Sequence, residues 1–252
     1  MRLRNRAKEK ELIIEIVKKE RQVHPRMGCR KLLRSIKSKL LEDGIRIGRD
    51  AFFELMGLNS MHVERKKKFT KTTYSRHGYA VSPNRIKDLE IVRPNQVFVS
   101  DITYIRTLNG FAYLFLVTDL YSRNIVGWAV RSDLSHQGAI DALRMSLRNI
   151  KECRGIIHHT DRGSQYCCHD FLKEFRDKGI AFSNTDDCHV YQNAVAERVN
   201  GILKDEYNLD STFQNINHVM KTVSQVIYTY NYLRPHMSLA YQTPESVYKK
   251  AA

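Results

Sequence analysis

No apolar run in this 252-residue chain approaches the roughly 18 residues that a membrane span requires. The opening stretch, Met1-Arg2-Leu3-Arg4-Asn5-Arg6-Ala7-Lys8, lacks the apolar segment of a secretory signal, so a cytoplasmic protein without a membrane partner is expected. Cysteine is scarce and odd in number. Cys29, Cys153, Cys167, Cys168 and Cys188 show no paired-ligand spacing, which favours reduced thiols over a disulfide framework or a zinc site. The doublets His158-His159 and Cys167-Cys168 do not restore a zinc reading. Adjacent strand residues point to opposite faces, so each doublet offers one ligand.

Acidic residues are thin in the front of the chain. Residues 1–94 carry 25 Lys/Arg against 11 Asp/Glu, net +14, whereas residues 95–252 carry 17 against 16. A basic front and a near-neutral rear imply two parts with different tasks, the basic one meeting a polyanion such as nucleic acid. The length allows one large domain or a medium one with a small appendage, and 42% hydrophobic residues suffice for a sizeable core.

Apolar periodicity predicts a helix over 7–21 with the stripe Leu12, Ile13, Ile16 and Val17. A second runs from about Cys29 to Leu41, with Leu32, Leu33, Ile36 and Leu40, and stops at Asp43-Gly44. A short third helix is expected from Arg49 to Met56. Helix, glycine turn, short helix and dense Lys/Arg suggest a helix-turn-helix DNA binder over 1–59, the alternative being a basic helical bundle that touches only phosphates or a partner. Residues 60–94, with Arg65-Lys66-Lys67-Lys68 and Ser82-Pro83-Asn84, read as a basic linker that either is merely solvated or tracks a DNA backbone.

From Gln96 the pattern changes to strands. One holds Val97 to Ile105; Phe111 to Leu120 and Asn124 to Val130 follow, joined by Asn109-Gly110 and Ser122-Arg123-Asn124, so the three form an antiparallel meander. A helix over Ser135–Ile150, a strand ending at Asp161, a helix over Asp170–Lys178 and a strand over Ile180–Ser183 come next. Two closing helices are expected, Asn193–Tyr207 and Ile216–Tyr232. The expected fold of 95–252 is α/β: a ribonuclease H-like mixed sheet flanked by helices, preceded by the small all-helical region.

Three acids stand out. Asp101 lies inside the first apolar strand, Asp161 ends the strand Gly155 to Thr160, and Glu197 falls on a helix with thirty-five residues between it and Asp161. At 100° per residue, Asn193, Glu197, Asn200 and Lys204 lie within about 60° of one another, opposite Val195, Val199, Ile202 and Leu203, so a polar stripe pointing away from the core is expected. Three converging carboxylates repel, each pair by about 4 kcal/mol at 4 Å and an effective dielectric near 20. A divalent cation removes that repulsion, and oxygen-only ligands beside a phosphate favour Mg²⁺, two ions clamping an in-line displacement and Mn²⁺ able to replace it. Each acid alone also has an ordinary explanation, as a turn residue or surface charge. Asp119, equally embedded in a strand, is expected to cap the turn near Ser122, and Asp186-Asp187 and Asp205-Glu206 to be solvated.

Their combination resembles a known family. Asp101-Ile102-Thr103-Tyr104, then His159-Thr160-Asp161-Arg162-Gly163-Ser164-Gln165-Tyr166, then Asn193-Ala194 with Glu197, look like the three signatures of OrfB-type transposases of the IS-three group, relatives of retroviral integrases with the Asp, Asp, thirty-five, Glu core. Lys204 sits where that family keeps a basic residue. Tyr230-Asn231-Tyr232-Leu233-Arg234-Pro235-His236 and Thr243-Pro244 resemble its closing segment, and residues 27–58 its small helix-turn-helix. The departures are Phe98 in place of a common tryptophan, Gln192 where an acid is usual, and Asp186-Asp187-Cys188-His189 replacing a serine-rich loop.

The resemblance implies a nucleoid-associated bacterial enzyme acting on double-stranded DNA, both element ends and target. Asp101, Asp161 and Glu197 would be its catalytic metal ligands. Strand cleavage at the element end would be followed by attack of the exposed 3′-hydroxyl, through a circular form of the element. Lys204 would contact the DNA end, with Asn193 and Asn200 beside it, while Arg162, Gln165 and Tyr166 would position the phosphate or the loop. A homo-oligomer on DNA is expected, and an upstream-frame OrfA-type partner would supply what this chain lacks, a leucine zipper and a longer helix-turn-helix. The rival expectations are a metal nuclease of the same fold that does not join strands, and an inactive DNA-binding protein.

Overall fold

The computed structural model describes residues 2–64, 81–186 and 193–250. The Arg65-Lys66-Lys67-Lys68 run, Asp187-Cys188-His189 and Gln192 lie outside the described residues.

Three helices open the chain: α1 (Arg2–Val23), α2 (Cys29–Glu42) and α3 (Arg49–Leu58). Their apolar stripes close on each other, with Val17, Leu32, Ile36, Phe52 and Met56 at the centre of a core of their own. Gly44 breaks α2 in the left-handed region at φ +70°, and the Ile45 amide donates back to the Leu40 carbonyl, closing the turn before α3.

The remaining elements are β1 (Val97–Thr107), β2 (Gly110–Asp119), β3 (Ile125–Arg131), α4 (His136–Leu147), β4 (Ile157–Thr160), α5 (Ser164–Cys167), α6 (His169–Lys178), β5 (Ala181–Asn184), α7 (Ala194–Tyr207), α8 (Ile216–Tyr228) and α9 (Pro244–Lys250). The strands form one sheet in the order β3-β2-β1-β4-β5. The β1–β2 and β2–β3 pairs are the expected antiparallel meander, and β4 and β5 add in parallel. Alternation along β2 sends Leu114 and Leu116 to one face, under Val199 and Leu203 of α7 and Val219 of α8, and Phe115 and Val117 to the other, under α4 and α6.

The Asp119 carboxylate is fully buried and caps its turn as expected, accepting from the Ser122 amide (2.7 Å) and hydroxyl (2.6 Å) and from the Asn95 amide (2.8 Å). Residues 81–86 run beside β5, tied by the Ser82 amide to Asn184 Oδ1 (3.0 Å) and the Arg85 amide to Ser183 Oγ (2.9 Å), so the back of the expected linker is built into the sheet edge.

Three expectations change. The last long helix was expected to reach Tyr232. Regular α-helix ends at Tyr228, and the backbone widens to a π turn over Thr229–Leu233. The widening lets Asn231 reach β3 like a strand partner: its Oδ1 accepts from the Ile125 amide (3.0 Å) and its Nδ2 donates to the Ile125 carbonyl (2.9 Å). A further short helix, α9, follows, with Pro244 at its first position, where the missing N–H goes unused. Glu206 is not solvated but held in an ion triad, described below; Asp205 beside it is exposed, as expected.

Helix α4 packs on the sheet at glycine distance. A Cβ on Gly127 would sit 2.1 Å from the Ala142 carbonyl oxygen and 2.8 Å from the Ser146 amide nitrogen, both backbone atoms that have nowhere to go. Gly127→Ala should therefore destabilise the protein by about 2–3 kcal/mol through overpacking. Denaturant unfolding checks this: a change below about 0.5 kcal/mol would mean that α4 can lift off the sheet without penalty.

Candidate active site

The β1–β4 register builds the first half of the site. Ser100 pairs with Thr160 in parallel, so one step further Asp101 and Asp161 stand on neighbouring strands, which are spaced ~4.8 Å apart. Asp161 lies where β4 has ended and α5 is about to start. Its Oδ1 accepts from the Gly163 amide (3.0 Å), an Asx turn that folds the chain into α5. Asn184 of β5, fully buried, donates through Nδ2 to the Asp161 carbonyl (3.0 Å) and to Thr160 Oγ1 (3.1 Å), fixing the strand end from the other side.

Helix α7 completes the arrangement by crossing β1. Asn193 at its N-terminus donates to the Ser100 carbonyl (2.9 Å), and Asn200, two turns on, donates to Asp101 Oδ2 (2.8 Å); both are buried. The polar stripe read from the sequence thus exists but faces the carboxyl-bearing edge of β1, not away from the core. Glu197, between the two asparagines, is exposed. Lys204 lies farther along the same stripe with Nζ 4.5 Å from the centre of the Tyr104 ring, a cation–π contact. Burial lowers its pKa and the Asp101 charge opposes that.

Burial and the neighbouring Asp161 charge push the Asp101 carboxyl up to about 7, with Glu197 adding to the rise and the Asn200 and Ile102 donors opposing it. Tyr166, buried beside the pair, is driven well above the ordinary phenol range by burial and by the charges of Asp101 and Asp161. It is therefore a neutral hydroxyl, and it packs against Phe171. Arg162 donates through Nε to the Thr185 carbonyl (2.8 Å) and Gln165 to the Leu134 carbonyl (3.2 Å), so both anchor loops at the rim.

Under the site the two histidines diverge, as neighbours in a strand must. His158 bonds the Ser100 hydroxyl (2.8 Å) among Phe171 and Phe175, and burial, with His159 beside it, holds it down to about 3. His159 bonds the Ser183 hydroxyl (2.9 Å). Both rings brace β4 between β1 and β5. Nothing local signals Asn184 or the inward roles of Asn193 and Asn200, because each partner is 23 or more residues away.

Among the described residues, no group of three or more His, Cys, Asp and Glu side chains is drawn close enough to hold a metal ion as it stands. The donor set nevertheless fits a hard cation: three carboxylates from three elements, one with its charged form disfavoured by the other two.

Comparison with known proteins identifies relatives. An integrase core domain model matches residues 92–188, and a second integrase core domain model matches residues 178–244. The chain is 33% identical over 219 residues to the insertion element IS600 uncharacterized 31 kDa protein of Shigella sonnei, covering 86% of this chain and 80% of that one. It is 34% identical over 192 residues to transposase InsF for insertion sequence IS3A of Escherichia coli (strain K12), covering 75% and 67%. Among solved structures it is similar to the HTLV-2 integrase catalytic core domain in complex with magnesium, with a TM-score of 0.50 and 18% identity, covering 62% of this chain and 98% of that one. The mixed sheet flanked by helices is thus the ribonuclease H-like fold.

Because the folded carboxyl of Asp101 stands near 7 and the ordinary value is 3.8, deprotonation opposes folding. Stability of metal-free protein should be greatest below about pH 4 for this group and be lost as pH rises toward 7. Carboxyl ¹³C shifts followed against pH should give a midpoint near neutrality. Asp161→Asn should lower it by removing a like charge, and Asn200→Ala should raise it by removing a donor. A wild-type midpoint near 4, or shifts in the opposite directions, would contradict this account of the site.

Proposed function

The chain belongs to the insertion-sequence transposases with an integrase core domain, and from that premise we propose that Asp101, Asp161 and Glu197 are the catalytic carboxylates of a polynucleotidyl transferase. The observation that supports the reading is geometric: the Ser100–Thr160 pairing brings Asp101 and Asp161 side by side, and Asn200 of α7, about one turn from Glu197, donates to Asp101, whose carboxyl is raised by burial first and then by the Asp161 and Glu197 charges. Together they would hold Mg²⁺, the ion named in the HTLV-2 integrase complex, as one ion or two, with Mn²⁺ able to replace it. Bound there, the cation supplies positive charge for a transferring phosphate and acidifies an attacking hydroxyl.

The residues around the triad have separate tasks. Asn200 donates to Asp101 Oδ2 and the Ile102 amide to Oδ1, so both carboxylate oxygens are oriented by the protein, and each keeps a further lone pair for a ligand. The Asx turn at Gly163 and the Asn184 brace hold Asp161 at the strand end. Lys204, on the same stripe as Glu197, would meet a phosphate of the DNA end. Arg162 and Gln165 keep rim loops in place, and Asn193 and Asn200 act on the protein more than on DNA.

In the first displacement water attacks a phosphodiester at the element end; the P–O bond to the 3′ oxygen breaks and a 3′-hydroxyl is left. In the second that hydroxyl attacks a target phosphodiester, forming the new P–O bond as the old one breaks, so no covalent protein intermediate is required. Two ends must be held together for this, and a homo-oligomer on DNA follows; an OrfA-type partner would add recognition of the ends. The basic residues 1–94, including the helix-turn-helix-like module, would bind the duplex.

Asp101→Asn and Glu197→Gln should each slow cleavage and joining of labelled element ends by roughly a thousandfold, about 4 kcal/mol of barrier, while duplex affinity stays within a few-fold. Activity should vanish with chelator and return with Mg²⁺ or Mn²⁺. Nicked ends without joined product would reduce the protein to a nuclease, and full activity in both variants would remove the triad from the chemistry.

Binding of duplex should also weaken steeply with salt, log K falling linearly with log[salt], each neutralised phosphate contributing about 0.9 to the slope. A nearly flat salt dependence would exclude the basic N-terminal region as the DNA-contacting surface.

A further inference from the structure

Helix α7 has a second polar contact at its far end, on the side opposite Glu197. Nine residues separate Glu197 from Glu206, half a turn in phase and about 13 Å along the axis. Arg234, 3% exposed, clasps Glu206 with both arms of its guanidinium, Nε to Oε2 at 2.8 Å and a terminal nitrogen to Oε1 at 3.0 Å. Lys31 of α2, 11% exposed, donates to the same carboxylate from the N-terminal module. Burial pushes the Glu206 carboxyl up, but the bonds and charges of Arg234 and Lys31 outweigh it and bring the group down to about 2.

Three other contacts join the same two parts. The Arg26 amide donates to the Glu206 carbonyl (3.1 Å), His24 Nδ1 is hydrogen-bonded to the Tyr207 hydroxyl (3.1 Å), and the Arg34 guanidinium lies 5.8 Å from the centre of the Tyr241 ring. The helical module is thus docked on the last turn of α7, the helix whose first turns present Glu197 and Asn200. A buried lysine spends its stem entropy and desolvation for one anion, which makes this contact specific to a single seating of the module.

We infer that Lys31 and Glu206 are positioning residues, which lock the N-terminal helical module onto α7 and thereby make the seating of that module part of the geometry of the carboxylate site. DNA held by the module would then be presented at a fixed distance from Glu197, and loosening the lock would disturb α7 at its opposite end. The part of the inference that concerns DNA rests on the transposase reading above; the part that concerns docking does not.

The test uses the full chain with Lys31→Met, which removes the module's cation and leaves Glu206 its Arg234 partner, and Lys31→Arg, which restores a cation. Hydrogen exchange without DNA should be roughly fivefold faster or more in Lys31→Met at the amides of residues 198–201, whose helical bonds close on the carbonyls of 194–197, and near wild type in Lys31→Arg. Exchange changes confined to α2 and the last turn of α7 would overturn the coupling. On a duplex bearing the element's own end, Lys31→Met should cut single-turnover cleavage roughly tenfold with the Kd within about twofold, and Lys31→Arg should recover most of it. An unchanged rate, or a loss wholly in Kd, would overturn it too. If the wild-type protein cleaves no such end, the proposed function fails, and the exchange pattern still judges the docking.

Discussion

The enclosure of one carboxylate, Asp101 midway along β1, beside a second acid just past the end of β4 is the constraint around which the neighbouring architecture is arranged. Enclosing a carboxylate beside another acid costs free energy that a neutral residue would avoid. That cost appears on Asp101, whose carboxyl is pushed up first by burial and then by repulsion from Asp161, with Glu197 adding to the rise. Everything nearby resists the tendency of that repulsion to spread the site. Asn200 pins Asp101, Asn184 and the Gly163 turn pin Asp161, and Asn193 pins the start of α7. These are neutral amide donors, which hold carboxylate and carbonyl oxygens without neutralising them. An arginine in the same places would relieve the repulsion and with it the appetite of the site for a cation.

The fold supplies the pinning points from its topology. Parallel pairing of β4 with β1 sets the two aspartates on adjacent strands, and parallel pairing of β5 with β4 brings Asn184 opposite Thr160. The antiparallel partners of β1, strands β2 and β3, contribute no acid to the site; they widen the apolar floor on which α7 and α8 rest. Asp119 illustrates the difference. It lies in β2, is wholly buried, and is satisfied by three protein donors from the turn and from Asn95, so it has no remaining demand for a ligand. Burial separates neither acid from the other; what surrounds them does.

Much of this was legible in the sequence where local chemistry decides. Asn109-Gly110 and Ser122-Arg123-Asn124 marked the meander, Gly44 the stop of α2, and an apolar arc at 3.6 spacing the buried side of α7. Asp101 and Asp161 could be singled out because one interrupts and the other ends an apolar run, and Glu197 by its place on a polar helical stripe with thirty-five residues between it and Asp161. What could not be read is where a polar arc faces once its helix has landed. Asn193, Glu197, Asn200 and Lys204 do share a side, but α7 crosses β1, so that side meets the strand and the asparagines are consumed there. Glu206 looked like half of a solvated acidic pair because its partners, Lys31 and Arg234, are 175 and 28 residues away. Asn231 likewise looked like one more helical residue until the π turn aimed it at β3.

Helix α7 therefore carries two charges with opposite fates. At its first turns Glu197 is exposed and adds to the upward push on Asp101; at its last turn Glu206 is enclosed by two cations and held well below the ordinary carboxylate range. A helix of this length is stiff between its ends, since every turn in between is hydrogen-bonded and packed through Val199, Ile202 and Leu203. Arg234 and Lys31 fix the Glu206 end of the rod, and the packed turns between run on to Glu197. The ion triad at the Glu206 end joins the N-terminal module, through Lys31, to α7, through Glu206, and to the segment after α8, through Arg234.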